Sequence, residues 1–130
     1  MHVDGGARGN PGPAGVGAVA SDASGAVLGE ASAYIGEATN NVAEYRAVLQ
    51  GLELAAGLGA KAVDVVNDSE LVARQIGGEY RVKQVHLKPL HAEVMRALRG
   101  FDRWSVSSVP REQNERADEL YNDALDAAGH

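Results

Sequence analysis

Tyr45-Arg46-Ala47-Val48-Leu49-Gln50-Gly51-Leu52-Glu53-Leu54-Ala55-Ala56, followed beyond Gly59 by Ala62-Val63-Asp64-Val65-Val66, decides the architecture. Tyr45, Val48, Leu49, Leu52, Ala55 and Ala56 recur at i, i+3, i+4, i+7, i+10 and i+11, which is one face of an amphipathic helix. Thr39, Asn40 and Asn41 offer N-cap side chains before it, and Gly59 suits the C′ position after it. Ala62–Val66 is short, apolar and rich in Val, so it reads as a strand ending at Asn67-Asp68. A helix delivered straight into such a strand is the second half of a parallel crossover.

Upstream, Val16–Ala20 and Ala26–Ile35 read as two strands of a hairpin meander, with a turn at Ser21–Gly25. They follow Asp4-Gly5-Gly6-Ala7-Arg8-Gly9-Asn10-Pro11-Gly12-Pro13-Ala14-Gly15, whose Gly and Pro content predicts a tight loop directly after a stub of strand at Val3. Downstream, Ser69–Ile76 predicts a short helix stopped by Gly77-Gly78, and Tyr80–Lys88 an irregular stretch carrying Arg81, Lys83 and Lys88. Pro89–Leu98 predicts a helix, Trp104–Val109 a last strand, and Glu115 onward a last helix with Ala117, Leu120, Tyr121, Ala124 and Leu125 inward. The expected order is βββαβα, then α, β, α: an α/β mixed sheet with helices packed on it, residues 1–130 forming one domain.

Composition sets the limits. Of 130 residues, 45% are apolar but only 5% aromatic, so the core must come from Val, Leu and Ala. There is no Cys, which removes disulfides, thiolate metal sites and a Cys nucleophile together. No apolar run reaches membrane-spanning length and the start lacks a signal-peptide pattern, so the expectation is a cytoplasmic protein. A net charge of −6 opposes passive binding to a polyanion, unless some of the acids are clustered and neutralised by cations.

Four acids share a placement. Asp4 and Asp68 each follow a short apolar strand, while Glu44 and Asp118 sit in the first turns of helices. Strand ends and helix starts gather at one edge of an α/β sheet, where ligands bind. Singly, each has an ordinary explanation: a turn former at Asp4, an N-cap at Asp68, dipole-favoured first-turn acids at Glu44 and Asp118. Together they would repel one another unless hard cations neutralised them, and Mg²⁺ takes a few carboxylates along with waters and phosphate oxygens. Two such ions about 4 Å apart would clamp an in-line phosphoryl displacement.

Four segments carry a resemblance. Asp4–Pro13, Thr39–Tyr45, Asp68–Val72 and Val109–Asp118 resemble, in order and spacing, the four motifs of type 1 ribonuclease H, the archaeal-like branch in particular. The likeness runs from Asp4 to about Asp126. It implies the ribonuclease H-like fold: a five-stranded mixed sheet, three antiparallel strands then two parallel, with helices on both faces. It also implies metal-dependent endonucleolytic hydrolysis of the RNA strand of RNA–DNA hybrids, independent of sequence, leaving 5′-phosphate and 3′-hydroxyl. Asp4, Glu44, Asp68 and Asp118 would hold two Mg²⁺, with Mn²⁺ able to substitute. Arg111 would take the place of a loop His and serve phosphate contact or product release. Gly5, Asn10, Thr39, Asn40, Asn41 and Asn114 would contact substrate. No membrane and no obligate protein partner are implied. The alternatives are a catalytically weak module of the same fold that binds hybrid or double-stranded RNA, and broader cleavage that includes double-stranded RNA.

Overall fold

The computed structural model describes Met1–His130 and orders the chain as β1 (His2–Ala7), β2 (Gly12–Ser21), β3 (Val27–Ala38), α1 (Asn40–Gly57), β4 (Ala62–Asn67), α2 (Glu70–Ile76), α3 (Lys88–Leu98), β5 (Arg103–Ser108) and α4 (Glu115–Ala127). Single 3-10 turns precede α3 and α4, at Val85–Leu87 and Arg111–Gln113. The five strands form one sheet in the order β3-β2-β1-β4-β5. β1–β2 and β2–β3 are antiparallel, and β1–β4 and β4–β5 are parallel. The mixed sheet expected from the crossover pattern is therefore present.

Successive side chains of a strand point to opposite faces, and β2 shows how each face is covered. Val16 and Ala18 join the core beneath α1, with Val3, Tyr45, Val48 and Leu52. Gly15 and Gly17 point the other way, beneath α4. A Cβ on Gly17 would lie 2.6 Å from the carbonyl oxygen of Ala117, so only glycine lets the α4 backbone rest on the sheet. α3 packs beside α1, and α2 against β5.

The helical stripe holds at Tyr45, Val48, Leu52 and Ala55, all buried, but Ala56 is exposed and Leu49 only half-buried. Thr39 caps α1, its hydroxyl accepting from Val42 N at 3.2 Å, and Gly59 takes the left-handed conformation, φ +81°. Two expectations fail. β1 is not a stub: it runs through Asp4, Gly5 and Gly6 to Ala7, and the turn is delayed to the residues between Ala7 and Gly12. Gly5, Gly6 and Gly15, read as turn formers, are strand residues on which helices lie, whereas Gly9 does take the left-handed conformation of a turn, φ +101°. Glu44 is also not in the first turn of α1, which begins four residues earlier at Asn40.

Candidate active site

Strand register brings the first two acids together. His2 pairs with Val66 across the parallel β1–β4 ladder, and both strands advance at the same rise. Two residues further on, Asp4 and Asp68 are therefore level, where β4 has just ended at Asn67. Asp68 follows Asn67, whose buried Oδ1 accepts from Ser69 N at 2.6 Å and fixes the exit turn.

The other two acids arrive from the two faces. A Cβ on Gly5 would meet Ala43 O at 2.3 Å and Glu44 N at 3.2 Å, so the α1 backbone at Glu44 touches β1 beside Asp4. On the opposite face, Asp4 pairs with Gly17 of β2, and Gly17 lies directly beneath Ala117, the residue before Asp118. Asn114 locks this arrangement, its Nδ2 donating to Val3 O at 2.9 Å. Strand, helix start and strand end meet around one carboxylate.

The electrostatics follow from that crowding. Asp4 is 6% exposed, and its carboxyl is pushed up to about 8 by burial first, then by Asp68 and Asp118. The Gly5 N–H opposes the shift by hydrogen-bonding the carboxylate. Burial likewise raises Glu44 to about 7; a hydrogen bond from Ser69 offsets part of this and Asp68 adds to it. Glu44 Oε2 is buried without a hydrogen-bond partner. Arg111 sits 3.4 Å from Asp118 Oδ1, and its own pKa is raised chiefly by Asp118.

An oxygen-only donor set, a buried carboxylate oxygen with no partner and raised carboxyl pKa values fit a hard divalent cation. The carboxylates do not close a cage by themselves: no three Asp, Glu or His side chains are gathered tightly enough to hold an ion between them. Asp118 also faces Arg111, 3.4 Å away. Such an open set matches Mg²⁺, which leaves positions for water and substrate phosphate.

The residues expected at the substrate divide into three groups. Asn10 Oδ1 accepts from Asn40 N at 3.0 Å, and Asn40 Oδ1 accepts from Ala7 N at 2.9 Å, so these amides brace the β1–β2 turn against α1. Thr39 caps α1, as above, beside them. Asn41 lines an open groove of about 500 Å³ with Gln75, Tyr80, Arg81 and Lys83, while Lys88 is not part of it. Gly5 and Asn114 form the third group. Both are buried, Asn114 to 1% exposure, and the contacts they make are internal: close approach of α1 at Gly5, and the clamp on Val3 by Asn114. Tyr121 was legible only as core, yet it packs over Gly6. Its hydroxyl pKa is raised by burial, then by Asp4 and Asp118. Its position one helical turn after Asp118 was the available signal.

A family model described as reverse transcriptase-like matches residues 2–124. Ribonuclease HI of Halobacterium salinarum is 44% identical over 127 residues, which is 98% of this chain and 64% of that protein; the chain thus spans less than two-thirds of that relative. The crystal structure of RNase H1 from the same archaeon has a TM-score of 0.95 at 44% identity, covering 97% of this chain and 96% of that one. LC11-RNase H1, solved in complex with RNA/DNA hybrid, has a TM-score of 0.94 at 47% identity, covering 99% and 97%.

Proposed function

The chain belongs to the ribonuclease H family, and on that premise we propose that it is an endonuclease hydrolysing the RNA strand of RNA–DNA hybrids. The observation that carries the reading is the register placing Asp4 level with Asp68, with Glu44 and Asp118 brought in from opposite faces. Asp4, central among them, would hold divalent cations together with Glu44, Asp68 and Asp118. Those cations, Mg²⁺ or Mn²⁺, would supply the positive charge that activates water and stabilises the leaving 3′-oxygen.

The chain's own residues do the rest. Asn10 and Asn40 spend their amide oxygens on the backbone, which leaves Nδ2 donors suited to the 2′-hydroxyls that distinguish RNA from DNA. Thr39 and Asn41 extend that face toward the groove of Tyr80, Arg81 and Lys83, where the partner strand's phosphates would lie. Such contacts carry no base readout, so cutting is independent of sequence. Arg111 contacts phosphate or speeds product release; a guanidinium keeps its proton and is no proton shuttle. No helix is long and apolar enough to cross a membrane, and with a nucleic-acid substrate we place the protein in the cytoplasm.

A binding module of the same fold is the second reading. It is disfavoured because buried acids repel phosphate and strain the fold, and binding alone gives nothing in return. Labelled hybrid, duplex RNA and duplex DNA incubated with Mg²⁺ or Mn²⁺ decide between them. Hybrid cleavage abolished by EDTA and by Asp68→Asn supports the enzyme; hybrid retention without cutting in either metal supports the module. Cutting of duplex RNA at a similar rate would widen the substrate class.

A further inference from the structure

The β1–β2 turn is strapped on two sides. On one side Asn10 and Asn40 tie it to the start of α1. On the other, Arg8 crosses to α4. Its Nη1 donates to Asp126 Oδ1 at 2.8 Å and to the His130 carbonyl oxygen, and its Nη2 donates to Asn122 Oδ1 at 3.1 Å, a residue 114 positions away. Asn122 uses both ends of its amide. While Oδ1 accepts from Arg8, Nδ2 donates to the backbone oxygen of Asp118 at 3.0 Å. Two side chains therefore link the turn that presents Asn10 to the turn of helix that presents Asp118.

This link adds little to stability as an ion pair. The Arg8 side chain is 37% exposed and Asp126 66%, and pairs so exposed are screened and entropically costly. Its effect is geometric. The planar fork of Arg8 addresses three acceptors at once, and a lysine ammonium offers no such fixed geometry. Asn122 sits between two elements that the active site needs in register, and it is the only side chain hydrogen-bonded both to the β1–β2 turn and to the backbone of an acidic site residue.

We infer that Arg8 and Asn122 form a positioning relay, holding the substrate-facing β1–β2 turn and the Asp118 end of α4 at a fixed separation. Neither touches the reacting atoms. The relay rests on the functional reading above, because it serves the reaction assigned there. Displacements well under the width of a side chain at either end suffice to weaken the hold on substrate and cation when the two must be aligned together. Loosening one end should release the other, so the two residues act as a unit.

The test compares wild type, Arg8→Ala, Asn122→Ala, the double variant and Arg8→Lys. It reads hybrid cleavage at varied hybrid and Mg²⁺ concentration, thermal midpoint, and amide hydrogen exchange. Each single Ala variant should raise the KM for hybrid and the half-maximal Mg²⁺ concentration about threefold to tenfold, with the saturated rate within about twofold. The double variant should be no worse than the weaker single one. Arg8→Lys should match wild type in thermal midpoint but recover only part of the KM. Exchange at Gly9 and Asn10 should speed up in Asn122→Ala, although Asn122 lies on another element. A fall in thermal midpoint with KM and Mg²⁺ requirement unchanged overturns the relay, as do single effects that multiply in the double variant. A wild type that cuts no hybrid overturns the functional reading itself, and faster exchange at Gly9 in Asn122→Ala would then mark a strap without that reaction.

Discussion

Replacing Asp4 by Asn should make the cation-free protein more stable while abolishing cleavage. Folding carries the Asp4 carboxyl from its ordinary 3.8 up to about 8, burial being the main cause and Asp68 and Asp118 the next. Between those values the folded chain holds a proton that the unfolded chain lacks. Stability from this group therefore falls as pH rises, by about 1.4 kcal/mol per pH unit. From 3.8 to 7 this amounts to about 4 kcal/mol lost. Asn has the same shape and no charge in either state, so it escapes the penalty, but its own amide must be buried at about 1–3 kcal/mol. The net expectation is a gain of about 1–3 kcal/mol at pH 7 in EDTA, and less at pH 5. Urea denaturation at both pH values measures it. Mg²⁺ should narrow the gap by stabilising wild type alone, about 2.7 kcal/mol at a hundred times its Kd. An Asp4→Asn protein that is less stable than wild type at pH 7 in EDTA, or whose stability relative to wild type does not change between pH 5 and pH 7, would refute the reasoning.

Further outcomes follow from the same geometry. At limiting Mg²⁺, cleavage should rise with pH through about 7 to 8, because cations bind the ionised forms of Glu44 and Asp4; more Mg²⁺ should move that limb to lower pH, read from kcat/KM profiles at two concentrations. Gly5→Ala places a Cβ 2.3 Å from Ala43 O and should cost about 3 kcal/mol or more by urea midpoint, with activity lost as β1 and α1 separate. Asn114→Ala removes one buried hydrogen bond to Val3 O and should cost about 1–3 kcal/mol. Its activity should fall further than a surface substitution of equal stability cost.

The helical stripe at Tyr45, Val48 and Leu52 and the Val-rich β4 were legible because their periods are set by side chains that water excludes. β1 was not, because glycine carries no hydrophobic period: Gly5 and Gly6 read as turn residues until α1 and α4 are seen resting on them. Glu44 was displaced by one turn because Thr39, Asn40 and Asn41 are all good caps, and only the bond from Val42 N singles out Thr39. Asn114 looked like a loop amide, and its partner, the carbonyl of Val3, lies 111 residues away. Arg8 and Asn122 gave no local sign at all, since what joins them is the docking of α4 on the sheet. The acids themselves were recognisable only as a set, each having an ordinary explanation when taken alone.

Crystals of the protein with uncut hybrid and Mn²⁺, measured for anomalous scattering, test the central claim most directly. The account predicts manganese peaks beside the middle of β1 and the end of β4, within coordination distance of an Asp4 carboxylate oxygen, with Glu44, Asp68 and Asp118 arranged about them. Hybrid bound with no peak at Asp4, or manganese held elsewhere on the chain while the hybrid is cut, would contradict it.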